Sequence, residues 1–156
     1  MKRIAFLFSF LLIAVAGNTQ NISYVNGLYV DANGNSFTGS YSQKYENGIT
    51  KAEFNVIKGQ LEGFATYYYE NGSKMEAGTY LNGERNGIWE SWNESGMKIS
   101  EASYKLGVKD GAWFVWDANG NKRMEMQYTN GEKSGIWKMW DENGLLTGER
   151  KYSVGS

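Results

Sequence analysis

A chain of 156 residues with no Cys, no His and no Pro, but with 20 Gly and 24 aromatics (6 Trp, 11 Tyr, 7 Phe), has neither thiol nor imidazole to work with. Disulfide frameworks, zinc or haem sites built on those ligands, Ser-His-Asp and Cys-His catalysis and histidine pH switches are thereby excluded, leaving only carboxylate, Lys, Tyr or Ser chemistry. With 16 basic against 17 acidic side chains the net charge is −1, and no basic stripe of the kind a phosphate backbone demands is present, so nucleic acid is not an expected partner.

The first 16 residues read as a secretory signal peptide: Lys2 and Arg3, an apolar run from Ile4 to Val15 interrupted by Ser9, then the small-residue pattern Ala14-Val15-Ala16. The apolar run is shorter than the roughly 20 residues that span a bilayer, so cleavage rather than anchoring is expected, with no transmembrane segment afterwards. No Cys stands at the cleavage point to carry a lipid. Removal of these 16 residues leaves 140, with 14 basic and 17 acidic side chains, and a secreted or periplasmic location follows. Residues 17–38 then form an N-terminal cap with one hairpin-like piece, Leu28-Tyr29-Val30-Asp31-Ala32-Asn33-Gly34.

From Gly39 onward the chain repeats itself every 24 residues. Gly39, Gly63, Gly87, Gly111 and Gly135 form one column, Gly48, Gly72, Gly96, Gly120 and Gly144 a second, and Gly59, Gly83, Gly107 and Gly131 a third. All six tryptophans obey the same register, as Trp89, Trp113 and Trp137 and as Trp92, Trp116 and Trp140. Earlier copies place Tyr41 and Ala65 in the first of these columns and Lys44 and Tyr68 in the second. A tyrosine column runs Tyr80, Tyr104, Tyr128, Tyr152, and a glutamate column runs Glu53, Glu101, Glu125, Glu149 with Ala77 interrupting it. Such self-similarity marks a repeat architecture. Nine Asn-Gly dipeptides, alternating aromatic stretches and no helical apolar period make each unit a β-hairpin. The expected fold is all-β: an elongated, single-layer antiparallel meander of five tandem hairpins over 39–156. Turns are expected at Asn47-Gly48, Asn71-Gly72, Ser95-Gly96, Asn119-Gly120 and Asn143-Gly144.

The stretch Glu76-Ala77-Gly78-Thr79-Tyr80-Leu81-Asn82-Gly83-Glu84-Arg85-Asn86-Gly87-Ile88-Trp89 resembles the MORN repeat, and Phe37-Thr38-Gly39-Ser40-Tyr41 echoes its opening. The later copies, with Gly-x-Trp-x-x-Trp-x-x-x-Gly followed by Glu-x-x-Tyr-x-x-Gly, are closer to the bacterial variant of that repeat that goes under the name YwqK-type antitoxin. The resemblance covers 37–152. It implies an elongated antiparallel sheet and partner binding, with neither enzymatic activity nor catalytic residues. The antitoxin role in the name sits poorly with an export signal, because such toxins act in the cytoplasm, so the fold is carried over and that role is not.

A single-layer sheet has no second layer to bury against, and side chains stacked across strands must hold it together. The two Trp of a unit are three residues apart and therefore point to opposite faces unless a bulge intervenes. Equivalent residues of successive units lie two strands, about 9.6 Å, apart, a gap that a Tyr of the intervening strand fills. One Trp column is expected to be structural and the other accessible. The accessible set is taken as Trp92, Trp116 and Trp140 beside the hairpin turn, with Tyr104 and Tyr128, since exposed aromatic patches mark interaction sites. The glutamates are expected to pair with Lys98, Lys122, Arg123 or Lys133, being too far apart for a retaining glycosidase pair, and Asp31, Asp117 and Asp141 to close turns. No metal, cofactor or catalytic residue is expected. The leading reading is an exported, non-enzymatic protein-interaction module. The alternative is binding of a glycan or cell-wall polysaccharide by stacking on the Trp and Tyr columns.

Overall fold

The computed structural model describes residues 21–153, so the expected signal peptide lies outside the described residues. A small hairpin, β1 (Ser23–Val25) and β2 (Leu28–Val30), precedes an eleven-stranded open sheet. Its strands are β3 (Gly39–Lys44), β4 (Thr50–Ile57), β5 (Gln60–Leu61), β6 (Gly63–Tyr68), β7 (Lys74–Leu81), β8 (Glu84–Trp92), β9 (Lys98–Lys105), β10 (Val108–Trp116), β11 (Lys122–Thr129), β12 (Glu132–Trp140) and β13 (Leu146–Tyr152). Every pairing is antiparallel and sequential, β3 and β13 form the two edges, and β5 is a short start to β6 that pairs with β4. The meander of hairpins read from the glycine register is thus the fold.

Two kinds of turn alternate, and each explains one glycine column. Within a unit the chain reverses at the expected Asn-Gly or Ser-Gly positions: the amide of Gly48 donates to the carbonyl of Tyr45 and the amide of Tyr45 to that of Ile49, a pattern repeated 24 residues on at Gly72, Gly96, Gly120 and Gly144. Between units the reversal takes two residues, Lys58-Gly59, Asn82-Gly83, Leu106-Gly107 and Asn130-Gly131, all with positive φ. That is the type I′ geometry that matches strand twist.

In the remaining column, Gly87, Gly111 and Gly135 lie where each Trp-bearing strand bulges against its neighbour. β8 takes four steps, Asn86 to Glu90, where β7 takes two, Thr79 to Ala77, and β10 and β12 repeat the pattern. These glycines have φ between 65° and 107°, which a side chain would strain. The bulge turns the following Trp back over the preceding unit.

The two lateral rims of the sheet are tied from unit to unit. On one rim the amides of Lys58, Asn82, Leu106 and Asn130 donate to side-chain oxygens of Thr38, Glu62, Asn86 and Asp110, again 24 apart. On the other rim the hydroxyl of Tyr45 reaches the carbonyl of Tyr68 in the next unit (2.7 Å), and that of Tyr69 reaches Trp92 (2.9 Å). The amides of Asn47 and Asn71 likewise reach Glu70 and Glu94. In later units the register position of Tyr45 holds Asn93, Asp117 and Asp141, whose side chains close their own turns, as Asp31 does in the cap.

Among the described residues, a second layer covers only the N-terminal end of the sheet. Phe37, Ala52, Phe54, Val56, Ala65 and Trp89 form a buried cluster, with Ile22 and Tyr29 of the N-terminal segment packed against it. The Tyr29 ring lies 5.2 Å from that of Phe54, and backbone bonds from Tyr29 to Gly59 and from Gly59 to Phe37 fasten the segment down.

Candidate functional site: an aromatic ladder with a cation column

Cross-strand register assigns the side chains to faces. Trp89 stands opposite Ala102 and Trp92 opposite Lys98, on opposite faces of the sheet. The bulge near Trp92 takes its extra residue, Ile99, from the partner strand and leaves this parity intact.

On the first face the rings form a ladder that runs unbroken from Tyr104 to Tyr152. Tyr104 to Trp113, Trp113 to Tyr128, Tyr128 to Trp137 and Trp137 to Tyr152 are separated by 5.2, 5.3, 5.3 and 4.8 Å, all tilted. Tyr80 meets Trp89 edge-on at 4.8 Å at the N-terminal end. Such contacts each contribute about 0.5–1.5 kcal/mol beyond area burial, so the ladder substitutes for a second layer. Each indole is fixed by a hydrogen bond from Nε1 to a carbonyl of the preceding unit: Trp89 to Thr79 (3.1 Å), Trp113 to Ser103 (3.0 Å) and Trp137 to Gln127 (3.0 Å).

Cations complete the ladder. Arg85 lies over Trp89 at 4.1 Å and over Tyr104 at 5.6 Å, Lys109 over Trp113 at 4.2 Å and Tyr128 at 4.9 Å, and Lys133 over Trp137 at 4.7 Å and Tyr152 at 5.3 Å. Sequence reading missed this column. Its signal was available in the 24-residue register, where Arg85, Lys109 and Lys133 follow Phe37 and Leu61. Burial opposes the charge on Arg85, but a bidentate bond from its guanidinium to Glu76 (2.8 and 2.6 Å) outweighs it and raises its pKa.

The opposite face holds the second Trp column in a charged lattice. Lys74 lies over Trp92 (4.8 Å), Lys98 over Trp116 (5.3 Å) and Lys122 over Trp140 (5.7 Å), again one unit apart. Lys98 also bonds Glu90 at 2.6 Å and Glu101, and Lys122 pairs with Glu125 and Lys138 with Glu149. Of the expected partners of the glutamates, Lys98 and Lys122 serve. Arg123 turns instead to Asp117 (3.5 Å) and the carbonyl of Trp140, and Lys133 belongs to the ladder. Between the rows, Phe64 (60 % exposed), Ile88 (56 %) and Ile136 (50 %) project from the same register position.

The five residues singled out from sequence are therefore divided between faces. Trp92, Trp116 and Trp140 are each half-buried beneath lysines, while Tyr104 and Tyr128 stand on the ladder face, Tyr104 half-buried and Tyr128 buried at 9 %. Burial pushes the Tyr128 hydroxyl above its usual pKa. The Trp columns do not sort into one buried and one open. Trp89 alone among the six is fully buried (1 %), and Trp113 and Trp137 are half-buried. The reason lies in the residue beneath the indole. At the register position under Trp89, Trp113 and Trp137 stand Gly78, Ala102 and Met126. A Cβ on Gly78 would clash with the Trp89 ring atoms, so there the indole rests against bare backbone.

An open antiparallel array of β-hairpins in 24-residue register, stabilised by a ring ladder, is the architecture of a tandem-repeat protein. Three tandem segments, 61–82, 85–106 and 109–130, match the family model of the MORN repeat variant. MORN repeats serve in general as protein- or membrane-interaction repeats, and each matched segment here runs from one inter-unit turn to the next. No curated protein matches the chain.

Proposed function

We propose that this protein is an exported, non-enzymatic interaction module whose ladder face receives a segment of a protein partner. One observation carries the reading: the N-terminal end of that face is already covered by a strip of polypeptide. Ile22, Tyr29 and Phe37 pack on the cluster around Phe54 and Val56, whereas Trp113, Trp137 and Tyr152 further along are half-buried with no such cover among the described residues. The cap is an internal example of how a peptide lies on these rings. Exposed contiguous aromatic surface rimmed by charge is the usual mark of an interaction site. An antitoxin role is not part of the proposal, because nothing on the ladder face calls for a toxin as partner.

The test is retention. Immobilised protein is challenged with the protein fraction and, separately, with the polysaccharide fraction of an envelope extract, alongside a folded Trp137→Ala variant. Retention of a protein by the wild type and its loss with the variant is the expected result. Retention of polysaccharide alone would overturn the reading in favour of sugar stacking on the rings.

A further inference from the structure

The three cations on the ladder are not equivalent. Arg85 has its own counter-ion, the Glu76 carboxylate, held nine residues upstream on the same face by the pairing of Glu76 with Ser91. One and two units later the position of Glu76 is taken by Ser100 and Met124, which also face the ladder side, opposite Ser91 and Val115. Neither can supply a charge. Among the described residues, Lys109 and Lys133 accordingly have no carboxylate within ion-pair distance and hold their ammonium groups over pairs of rings.

We propose that Lys109 and Lys133 are the receiving positions for two carboxylates of an acidic, extended segment of the protein partner, each seated as Glu76 is seated on Arg85. The proposal rests on the reading of the ladder face as the docking surface and adds the chemistry of what docks. Equivalent side chains two strands apart are separated by about 9.6 Å. A polyproline-type segment crossing the strands presents every third side chain on one side at about 9.3 Å, and aromatic platforms such as Trp113, Tyr128 and Trp137 suit its apolar rings. Acidic residues at every third position of an extended segment therefore match the two cations in step, with the aromatic ladder between them. The ring-held ammonium groups are fixed before binding, so little rotamer freedom remains to be lost when the carboxylates arrive.

The probe is a fluorescent peptide of four Glu-Pro-Pro triplets, with a Gln-Pro-Pro peptide as its uncharged twin, titrated against the full chain by anisotropy. The Glu peptide should bind, about tenfold more tightly than the Gln peptide, and lose several-fold in affinity as salt is raised from about 50 to about 300 mM. Lys133→Gln should weaken it about fivefold. Ser100→Glu and Met124→Glu should do the same while keeping both lysines, because each rebuilds the internal carboxylate of the Glu76 type. Unchanged Trp emission and circular dichroism certify the fold of each variant. Equal binding of the two peptides would overturn the carboxylate assignment and leave the docking face standing. So would unaltered affinity in Ser100→Glu and Met124→Glu. Binding of phosphatidylglycerol vesicles without binding of the Glu peptide would overturn the proposal and give the cations to a lipid surface. Failure to bind either probe would overturn it as well, with the docking face itself still decided by the envelope-extract experiment.

Discussion

Gly78→Ala should destabilise this protein, although alanine is the better strand residue. Gly78 has an ordinary extended backbone, with no positive φ, so the substitution incurs no conformational penalty. Relative to glycine it recovers about 0.5–1 kcal/mol of backbone entropy. Against this stands the Trp89 ring, which occupies the space the new methyl needs. If the indole tilts to make room, overpacking costs about 1–3 kcal/mol. If it leaves its seat, the loss approaches the roughly 3–5 kcal/mol of a buried aromatic truncation, and the bond from Nε1 to the Thr79 carbonyl goes with it. The net expectation is a loss of about 1–3 kcal/mol, read as a lower urea midpoint at unchanged slope. The decisive comparison is the same substitution in a Trp89→Ala background, where the obstacle is gone and Gly78→Ala should stabilise by about 0.5–1 kcal/mol. A sign that does not reverse between the two backgrounds would refute the idea that Trp89 is buried because it rests on Gly78.

Trp89→Ala should cost about 3–5 kcal/mol, and Trp116→Ala, half-buried on the opposite face, clearly less; equal losses in urea unfolding would contradict the burial difference. Leu106→Asn should stabilise by about 0.5–1 kcal/mol, because Leu106 holds φ at 47° where Asn82 and Asn130 occupy the equivalent turns, and its side chain is 51 % exposed. Stability should be flat from about pH 6 to 9, there being no His, and should fall above pH 10: burial, then the Tyr80 hydroxyl, push Tyr67 well above the ordinary tyrosine pKa of 10.0, so its contribution is complete below that value and is lost as pH rises beyond it. At the acid end Asp117, held below 3.8 where the amides of Asn121 and Asn119 outweigh burial, gives stability that is present above that value and lost as pH falls through its lowered pKa. Thermal melts across pH test both limbs. Deleting residues 87–110, one whole unit, should leave a shorter folded sheet, whereas deleting twelve residues should break pairing and unfold it, as circular dichroism would report.

The periodicity carried most of the fold. One glycine column located the turns at Asn47-Gly48 and its equivalents, and the three-residue spacing of Trp89 and Trp92 put them on opposite faces, because the bulge beside Trp92 lies in the other strand; the bulges at Gly87, Gly111 and Gly135 were not read from the spacing. What the spacing could not convey was accessibility. Whether an indole is buried depends on the residue across the strand, Gly78, Ala102 or Met126, and that pairing is known only once the two-residue bulge in the register is known. The cations were hidden for a related reason: Arg85, Lys109 and Lys133 look like solvated charges until the bulge brings the Trp four residues later back beneath them. The choice of Trp92, Trp116 and Trp140 with Tyr104 and Tyr128 as one surface joined residues of two faces, since the columns were ranked by distance from the turn and not by parity along the strand.

The tyrosines at the turn rim set up a mechanical gradient along the molecule. Tyr45 and Tyr69 act as rivets between successive turns, whereas Asn93, Asp117 and Asp141 at the same register position turn their oxygens to their own loops, Asp117 also pairing with Arg123 of the following strand. The first three hairpins are therefore laced along both margins. In the last hairpins the regular lacing persists along one margin, with Arg123 to Trp140 the one stitch across the other among the described residues. A sheet bound unevenly in this way is better braced against shear where both margins are tied than where one is. The hairpins bearing Trp113 and Trp137 lie on the less braced side, so their ring spacing rests on strand pairing and one laced margin, while the capped end has two.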